Sequence, residues 1–273
     1  MATTKSLGQK DILDKFYTQP KVAWECIKFL GNMTDFDCII EPSAGNGSFS
    51  NQIINCIAYD IQPDNETIQQ ADWFLLDKEQ FKKYKNILVI GNPPFGQQNT
   101  LAIKFFNEAA KFANVIAFIL PLSFKKRSIQ NKLNANFHLI KEKILNQNSF
   151  LLNDEKYSVP CVFQVWERKD IKREIYKNRT TTNLFDFVSK SDADFRIQRV
   201  GGNAGKASLD LNYSAQSNYF IKNNTHYSNE ELIDIINQTI FPEIEYTVGP
   251  KSLSKTELIL TLENILKSNK SDE

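Results

Sequence analysis

The chain has 273 residues, with 33 Lys and Arg against 32 Asp and Glu and a hydrophobic fraction of 41%. This composition excludes a disordered or fibrous chain and predicts one full folded domain together with a smaller one. The longest apolar run, residues 115–120, is far shorter than the ~20 residues of a membrane-spanning helix, and residues 1–11 lack the apolar core of a signal peptide. We therefore expect a protein of the cytoplasm or of a similarly reducing compartment, without a membrane partner.

The cysteines and histidines are few and scattered, without the paired spacing of a disulfide framework or a zinc site. We expect buried free thiols and no bound metal. These residues are Cys26, Cys38, Cys56, Cys161, His138 and His226.

Apolar runs alternate with amphipathic stretches through the first two thirds of the chain, which is typical of an α/β fold with a parallel sheet between helices. Two later strand-like runs are separated by a polar loop, 146–156, too short for a helix, so they predict a closing antiparallel hairpin. The predicted strands are 36–41, 56–60, 72–76, 87–90, 115–120, 138–145 and 157–166, and the first predicted helices are 21–30 and 100–112.

The amino-acid composition of the sequence changes after Trp166. A charged stretch, 167–174, leads into polar segments and a glycine cluster at 200–205. This predicts two domains, 1–170 and 171–273. Two amphipathic helices are predicted in the second domain, at 230–239 and 254–267.

Charge is unevenly distributed along the chain. Residues 81–143 hold 11 Lys and Arg against 2 acidic residues, residues 167–224 hold 11 against 7, and the remainder holds 4 against 9. The two basic stretches suit a phosphate backbone. Solvated helix faces are the alternative, and charge alone favours that alternative.

A glycine-rich loop, 41–49, follows the first predicted strand and precedes a predicted helix. Gly45 and Gly47 let the backbone pass close to a ligand, and the helix N-terminus offers free N–H groups. Ser50 stands where a dinucleotide motif has its third glycine, so the loop suits a cofactor without a pyrophosphate. A plain structural turn is equally compatible with this loop.

Two acidic residues follow in an order typical of nucleoside binding. Asp60 ends the next predicted strand, where a carboxylate can accept hydrogen bonds from a ribose diol. Asp72 begins the third predicted strand beside Trp73 and Phe74, whose rings suit an adenine. Either acid alone is more often a helix cap or a solvated residue.

The most informative segment is 92–96, which follows the fourth predicted strand. The amide oxygen of Asn92 and the main-chain oxygen of Pro93 can accept both protons of a planar exocyclic amine. Two such acceptors favour the pyramidal amine, which is the form that attacks, and Phe95 can stack on the ring that carries it. A proline turn that merely closes a strand is the alternative.

These elements together resemble the class I S-adenosylmethionine-dependent methyltransferases. The resemblance is closest to the DNA N6-adenine methyltransferases in which the cofactor motif precedes the catalytic motif and target recognition comes last. It covers residues 15–166 and implies a Rossmann-like domain with a seven-stranded mixed sheet, followed by a small recognition domain. The motifs that carry it are 15–18, 41–49, Asp60, Asp72 and 92–95.

The resemblance implies a role for each matching residue toward the cofactor, S-adenosylmethionine. Its methionine end would contact Phe16, Tyr17 and Thr18, its amino-acid part Glu41, Pro42, Gly45 and Gly47, its ribose Asp60 and Ile61, and its adenine Asp72 and Trp73. Asn92, Pro93, Pro94 and Phe95 would form the catalytic set, with Asn92 also near the cofactor.

The implied reaction is direct methyl transfer to the N6 amine of a flipped-out adenine in DNA. Phe95 stands where bacterial members commonly have Tyr, and Phe also occurs in relatives that act on RNA, so the type of nucleic acid stays open. The aromatic residue that covers the second face of the base is left open among Phe124, Phe150, Phe195 and Phe220.

Basic residues after the fifth predicted strand and near the glycine cluster are the predicted contacts to a nucleic-acid backbone. A solvated loop is the alternative for each group. The predicted residues are Lys125, Lys126, Arg127, Arg196 and Arg199.

Four other functions compete with this prediction. Cytosine-C5 transfer needs a nucleophilic cysteine after the fourth strand, and Cys161 instead lies in an apolar late strand. An RNA adenine methyltransferase, a protein glutamine methyltransferase and a non-catalytic nucleic-acid-binding subunit remain. The assembly is open between a homodimer and a complex with a partner subunit.

Overall fold

The computed structural model describes residues 16–152 and 155–268. They form two compact units, one of residues 16–124 and Ile129–Ile175 and one of Lys125–Ser128 and 176–268. The expected boundary after residue 170 thus falls a few residues early, and the short segment Lys125–Ser128 belongs to the second unit. The predictions for residues 1–11 and for Lys15 lie outside the described residues.

The first unit is an α/β structure. Its helices are α1 (Pro20–Leu30), α2 (Thr100–Ala109) and the one-turn α3 (Arg127–Gln130), which begins in the second unit. Its strands are β1 (Tyr17–Thr18), β2 (Cys38–Glu41), β3 (Cys56–Asp60), β4 (Gln69–Gln70), β5 (Ile87–Gly91), β6 (Val115–Pro121), β7 (Phe137–Ile144), β8 (Phe150–Leu152), β9 (Glu155–Tyr157) and β10 (Cys161–Arg168).

Seven of these strands form one mixed sheet in the order β4-β3-β2-β5-β6-β10-β7. Neighbours from β4 to β6 are parallel, and β10 is antiparallel to both β6 and β7. This confirms the predicted seven-stranded mixed sheet, the closing hairpin and the Rossmann-like fold. Because the chain extends the sheet from β2 in one direction and from β5 in the other, the strand order reverses between these two strands, which is where open α/β sheets bind ligands.

The buried strands have side chains on both faces of the sheet. Ile40 and Val89 pack in one apolar cluster with the helix residue Phe106, whereas Ile39 and Leu88 pack in the opposite cluster. This alternation follows from the two-residue period of a strand. Near-continuous apolar strands are therefore buried on both faces, as expected for a central parallel sheet.

Three local predictions are wrong. The third strand is β4 and not 72–76, because the carboxylate of Asp72 accepts a hydrogen bond from Phe74 N at 2.8 Å and closes a turn there. The helix expected after the glycine loop is a single 3₁₀ turn, Ser50–Gln52, since β3 already begins at Cys56. The loop expected at 146–156 contains β8 and part of β9, and β8 pairs with both β1 and β9 in a second, three-stranded sheet.

The second unit is an antiparallel sheet in the order β11-β14-β12-β13, covered by helices. Its core joins Ile197 and Ile221 of the sheet to Leu232 and Leu262 of the helices. Both predicted amphipathic helices are confirmed. The elements are β11 (Phe185–Phe187), β12 (Phe195–Gln198), β13 (Ala207–Ser208), β14 (Asn218–Asn223), α4 (Asn229–Gln238) and α5 (Lys255–Ser268).

Two further expectations bear on the described residues. All four cysteines are free, and three are buried while Cys56 is half-buried, as predicted. No helix in the described part of the chain is both long enough and apolar enough to cross a membrane.

Candidate active site

A cavity of about 330 Å³ lies in the first unit, at the carboxyl ends of β2, β3 and β5. Its volume is within the ~300–1,000 Å³ of small-molecule sites. Sequence-predicted residues from all five motifs meet there. They are Phe16, Tyr17, Thr18, Glu41, Pro42, Gly45, Asp60, Ile61, Asp72, Trp73, Asn92, Pro93, Pro94 and Phe95.

The glycine loop passes close to Tyr17 at the cavity wall. The φ of Gly45 is +53°, and a Cβ there would lie 2.9 Å from Tyr17 Cε1, so no larger residue fits without displacing that ring. Gly47 does not line the cavity. Its φ is +82°, and a Cβ on it would lie 2.8 Å from Asn51 Nδ2, so its role is to shape the loop.

Asp60 connects the glycine loop to the end of β3. One carboxylate oxygen accepts from Gly45 N at 2.8 Å, and the other accepts from Gln62 N at 2.7 Å. A carboxylate has about four lone-pair sites, so Asp60 keeps capacity for further donors from a ligand. The position of this acid is therefore set by the backbone on both sides of it.

Glu41 is a buried acid behind the glycine loop. Its carboxylate accepts a hydrogen bond from Ser50 N at 2.8 Å. Burial raises the pKa of Glu41 to about 8, although hydrogen bonds from Ser50 and Phe49 oppose this shift. A Cβ on Gly91 would come 3.3 Å from Glu41 Cγ, so the end of β5 packs tightly against this acid.

Tyr17 and Asp64 form a contact that sequence reasoning missed. Burial and a hydrogen bond to the carboxylate of Asp64 raise the pKa of the Tyr17 phenol. Asp64 N in turn donates to Gly45 O at 3.1 Å. Asp64 is four residues beyond Asp60, in a loop with no motif, so no sequence signal pointed to it.

The part of the cavity wall predicted to contact the adenine of the cofactor differs from the prediction in one respect. Trp73 borders the cavity but is only 2% exposed, and its indole stacks on Phe105 with ring centroids 6.4 Å apart. Phe74, which is 37% exposed, is the aromatic side chain with free surface at this wall. Core packing takes most of the surface of the Trp73 ring, so Phe74 offers the larger stacking surface at this wall.

Asn92 has a defined side-chain orientation. Its Nδ2 donates to the main-chain oxygen of Phe16 at 3.1 Å, and a carbonyl oxygen accepts only, so the amide nitrogen must face it. The other amide atom, Oδ1, is buried and has no hydrogen-bond partner in the described part of the protein. Ser43 Oγ donates to Asn92 O at 3.3 Å and connects the catalytic loop to the glycine loop.

Tyr157 on β9 contacts the cavity residue Phe16 without lining the cavity itself. It is 42% exposed, and its ring stacks on Phe16 with centroids 5.1 Å apart and planes 13° apart. The four aromatic residues proposed from the sequence to cover the second face of a base are all buried, so that prediction is wrong for each of them. They are Phe124, Phe150, Phe195 and Phe220.

Three of the predicted basic residues are in the segment Lys125–Ser128 and contact other parts of the second unit. Lys126 donates to Ser252 Oγ at 3.4 Å, and burial lowers its pKa. Arg127 lies 3.7 Å from Glu243 Oε1 and stays half-exposed, while Lys125 lies 5.0 Å from the ring centre of Tyr246.

The two other basic residues lie in the second unit, on and just after β12. Arg196 is only 7% exposed, because its guanidinium donates to Asp210 O at 2.8 Å and to Asn218 Oδ1 at 3.0 Å and stacks on Tyr213. The prediction that Arg196 contacts a nucleic-acid backbone is therefore wrong. Arg199 is half-buried, 5.4 Å from the ring centre of Tyr219.

Within residues 16–152 and 155–268, no group of three or more His, Cys, Asp and Glu side chains is placed to hold a metal ion.

The strand order of the sheet and the cavity at its switch point define the class of the first unit as a Rossmann-like methyltransferase fold. The model of the EDM2 methyltransferase-like domain family matches residues 23–180, and the chain belongs to this family.

The chain is similar to individual proteins of known sequence or structure. It is 25% identical over 178 residues to Protein ENHANCED DOWNY MILDEW 2 of Arabidopsis thaliana, covering 59% of this chain and 13% of that protein. A crystal structure of a Thermoplasma acidophilum protein matches with a TM-score of 0.40 at 16% identity, covering 58% of this chain and 94% of the other. The magnesium protoporphyrin IX methyltransferase of Synechocystis PCC 6803, solved with bound S-adenosylmethionine, matches with a TM-score of 0.37 at 11% identity, covering 55% and 78%. At these TM-scores the two structural likenesses do not establish a function.

Proposed function

We propose that this protein transfers a methyl group from S-adenosylmethionine to the exocyclic N6 amine of adenine in DNA. The observation that carries the proposal is the unpartnered, buried Oδ1 of Asn92, found in the described part of the chain at the wall of the cavity. A buried acceptor without a donor costs about 1–3 kcal/mol, so it is expected where a ligand supplies the donor. Family membership supports the reaction class, and the base and nucleic acid are the finer parts of the proposal.

The chain's own residues fit S-adenosylmethionine. Gly45 lets the glycine loop pass close to Tyr17 at the cavity wall, Asp60 has spare acceptor capacity for ribose hydroxyls, and Phe74 presents a ring suited to adenine. Asp72 Oδ1 already accepts from Phe74 N, which leaves the second carboxylate oxygen for an adenine amine. When bound, the cofactor supplies a methyl group attached to a positively charged sulfur, which keeps the electron pair of the sulfur–carbon bond when that bond breaks.

The target amine is activated by acceptors from the catalytic loop. Its nitrogen is a poor nucleophile while its lone pair is delocalised into the ring. Asn92 Oδ1 accepts one amine proton and Pro93 O accepts the other, which favours the pyramidal nitrogen and stabilises the positive charge that develops on it. The new N–C bond uses the amine lone pair, and the extra proton then leaves to water, so no protein base is required.

The ring that carries the amine needs apolar surfaces on its faces. Phe95 borders the cavity directly after the two prolines, and we assign it to one face. Tyr157 is an exposed ring linked to the Asn92 anchor through its stack on Phe16, and we assign it to the other. An adenine in a duplex would have to leave the stack to reach this site.

The test is methylation with labelled S-adenosylmethionine, using single-stranded DNA, duplex DNA and RNA of the same sequence, followed by digestion to nucleosides. N6-methyldeoxyadenosine from the DNA supports the proposal. Product from RNA alone would overturn the choice of DNA, and labelled protein acceptors without labelled nucleosides would overturn the choice of adenine.

A further inference from the structure

The turn that follows the catalytic loop is strained. Gln98 has φ 52° and ψ 34°, and Asn99 has φ 65° and ψ 11°, so two consecutive residues other than glycine adopt the left-handed conformation. Side chains with a Cβ rarely adopt this conformation because of steric repulsion. Such strain persists only where surrounding contacts enforce it, and it concentrates at functional sites.

The contacts that enforce the turn are visible on both sides of it. Asn99 is at the N-cap position of α2 but does not cap the helix with its side chain. Instead its Nδ2 donates to Ser123 Oγ at 2.8 Å. On the other side, a Cβ on Gly96 would lie 2.7 Å from Leu101 Cβ, so the turn closes tightly onto the first turn of the helix.

The turn lies between residues that line the cavity of the proposed active site. Phe95, just before it, lines the cavity, and so do Leu101 and Phe105, just after it. Gln97 and Gln98 between them are exposed, and neither side chain makes a hydrogen bond within the described part of the chain. Two long amide side chains are therefore held beside the cavity with their polar groups open to solvent.

A turn that served only to redirect the backbone would be less strained with glycine at position 98, as at Gly96. The strain at position 98 is instead explained if the side chain contacts a ligand. A glutamine amide presents a donor and an acceptor side by side, which is the pattern that pairs with the edge of a nucleobase. We propose that Gln98 hydrogen-bonds a nucleotide next to the target adenine and thereby determines sequence preference.

This inference rests on the proposed function but has its own readout, which is equilibrium binding of a labelled adenine-containing single-stranded oligonucleotide with S-adenosylhomocysteine present. Gln98→Ala keeps the strain and removes the amide. It should weaken binding about tenfold, the loss typical of one good base contact. Affinity for S-adenosylhomocysteine itself should not change.

The matched control is Asn55→Gly. Asn55 is exposed, has φ 59°, and precedes β3 away from the turn. Gln98→Gly and Asn55→Gly should both raise the midpoint of thermal unfolding, because both relieve a strained φ. Only Gln98→Gly should weaken oligonucleotide binding.

Two results would overturn the inference: wild-type affinity in Gln98→Ala, or no oligonucleotide binding by the wild-type protein. Loss of binding in Gln98→Ala together with no methylated nucleoside from the wild-type enzyme would instead contradict the proposed reaction and leave this contact standing.

Discussion

The side-chain amide of Asn92 donates a hydrogen bond to the main-chain oxygen of Phe16 across 3.1 Å, joining segments 76 residues apart in the sequence. The ring of Phe16 in turn stacks on Tyr157. The small sheet of β1, β8 and β9 therefore helps to orient the residue proposed to activate the target amine. Changes in that sheet should affect turnover even where they touch no cofactor.

Replacing Asn92 with alanine should lower turnover about 10²–10³-fold, the usual cost of removing one preorganised transition-state contact. Cofactor affinity should stay within about tenfold of wild type, because the amide is assigned to the amine and not to the cofactor. Single-turnover methylation and isothermal titration measure the two effects. Asn32→Ala, in the turn after α1, is the control. Normal turnover in Asn92→Ala would contradict the proposal that Asn92 activates the target amine.

Replacing Gly45 with alanine should weaken cofactor binding and lower the free energy of unfolding by about 1–3 kcal/mol. The added Cβ meets Tyr17 at 2.9 Å, and the φ of +53° is unfavourable for alanine. Gly202→Ala is the matched control, because a Cβ there meets nothing within 4 Å. Equal unfolding midpoints and equal cofactor affinities in the two variants would contradict the tight contact.

Replacing Glu41 with glutamine should change how stability depends on pH. Burial raises the pKa of Glu41 from an ordinary 4.5 to about 8, so the folded state holds a proton that the unfolded state releases between these values. The stability that this group contributes is full below pH 4.5 and is lost as the pH rises to about 8. Its full size is on the order of 5 kcal/mol.

Urea unfolding from about pH 4 to about pH 9 spans this range of pKa values and measures the effect in the cofactor-free protein. Glu41→Gln keeps an acceptor for Ser50 N, and should lose the decline with pH and exceed wild type at the alkaline end. Glu79→Gln, at an exposed acid paired with Lys82, should retain the wild-type profile. A decline that persists unchanged in Glu41→Gln would show that another group causes it.

Replacing Tyr157 with alanine should raise the KM for the nucleic acid about tenfold, because a base–aromatic stack is worth about 1–3 kcal/mol. The half-exposed ring on Phe16 is the surface that would be lost. Tyr157→Phe keeps the ring and should retain a KM close to wild type. A large defect in Tyr157→Phe would assign the effect to the hydroxyl instead of to stacking.

Replacing Arg196 with alanine should destabilise the second unit by about 2–4 kcal/mol, since it leaves Asn218 and Asp210 O without their buried donor. The salt dependence of oligonucleotide binding should not change. Arg127→Ala, at a half-exposed side chain predicted to contact a phosphate, should lower the slope of log affinity against log salt by about 0.7–0.9. A reduced slope in Arg196→Ala would contradict the structural role of its guanidinium.

Local patterns were sufficient to predict where the candidate site forms. The glycine loop, Asp60 and the segment 92–95 each lie at or just after the end of an apolar strand, and parallel strands bring their carboxyl ends to one edge of the sheet. The closing hairpin followed from the order and spacing of apolar runs, whereas the seven-stranded mixed sheet was implied by the family resemblance, and its strand β4 is not an apolar run. These features depend on residues that are neighbours in sequence or on a rule common to all such sheets.

Features that depend on contacts between distant segments were missed or mispredicted. The indole of Trp73 packs on Phe105, and the guanidinium of Arg196 on Tyr213, although both residue types looked available in the sequence. The pairing of Tyr17 with Leu151 makes strands of a segment whose residues predict a polar loop. Burial and hydrogen-bond partners come from long-range packing, which no local residue pattern contains. The motifs therefore predicted which residues meet at the cavity, whereas the surface that each side chain leaves exposed was decided only on folding.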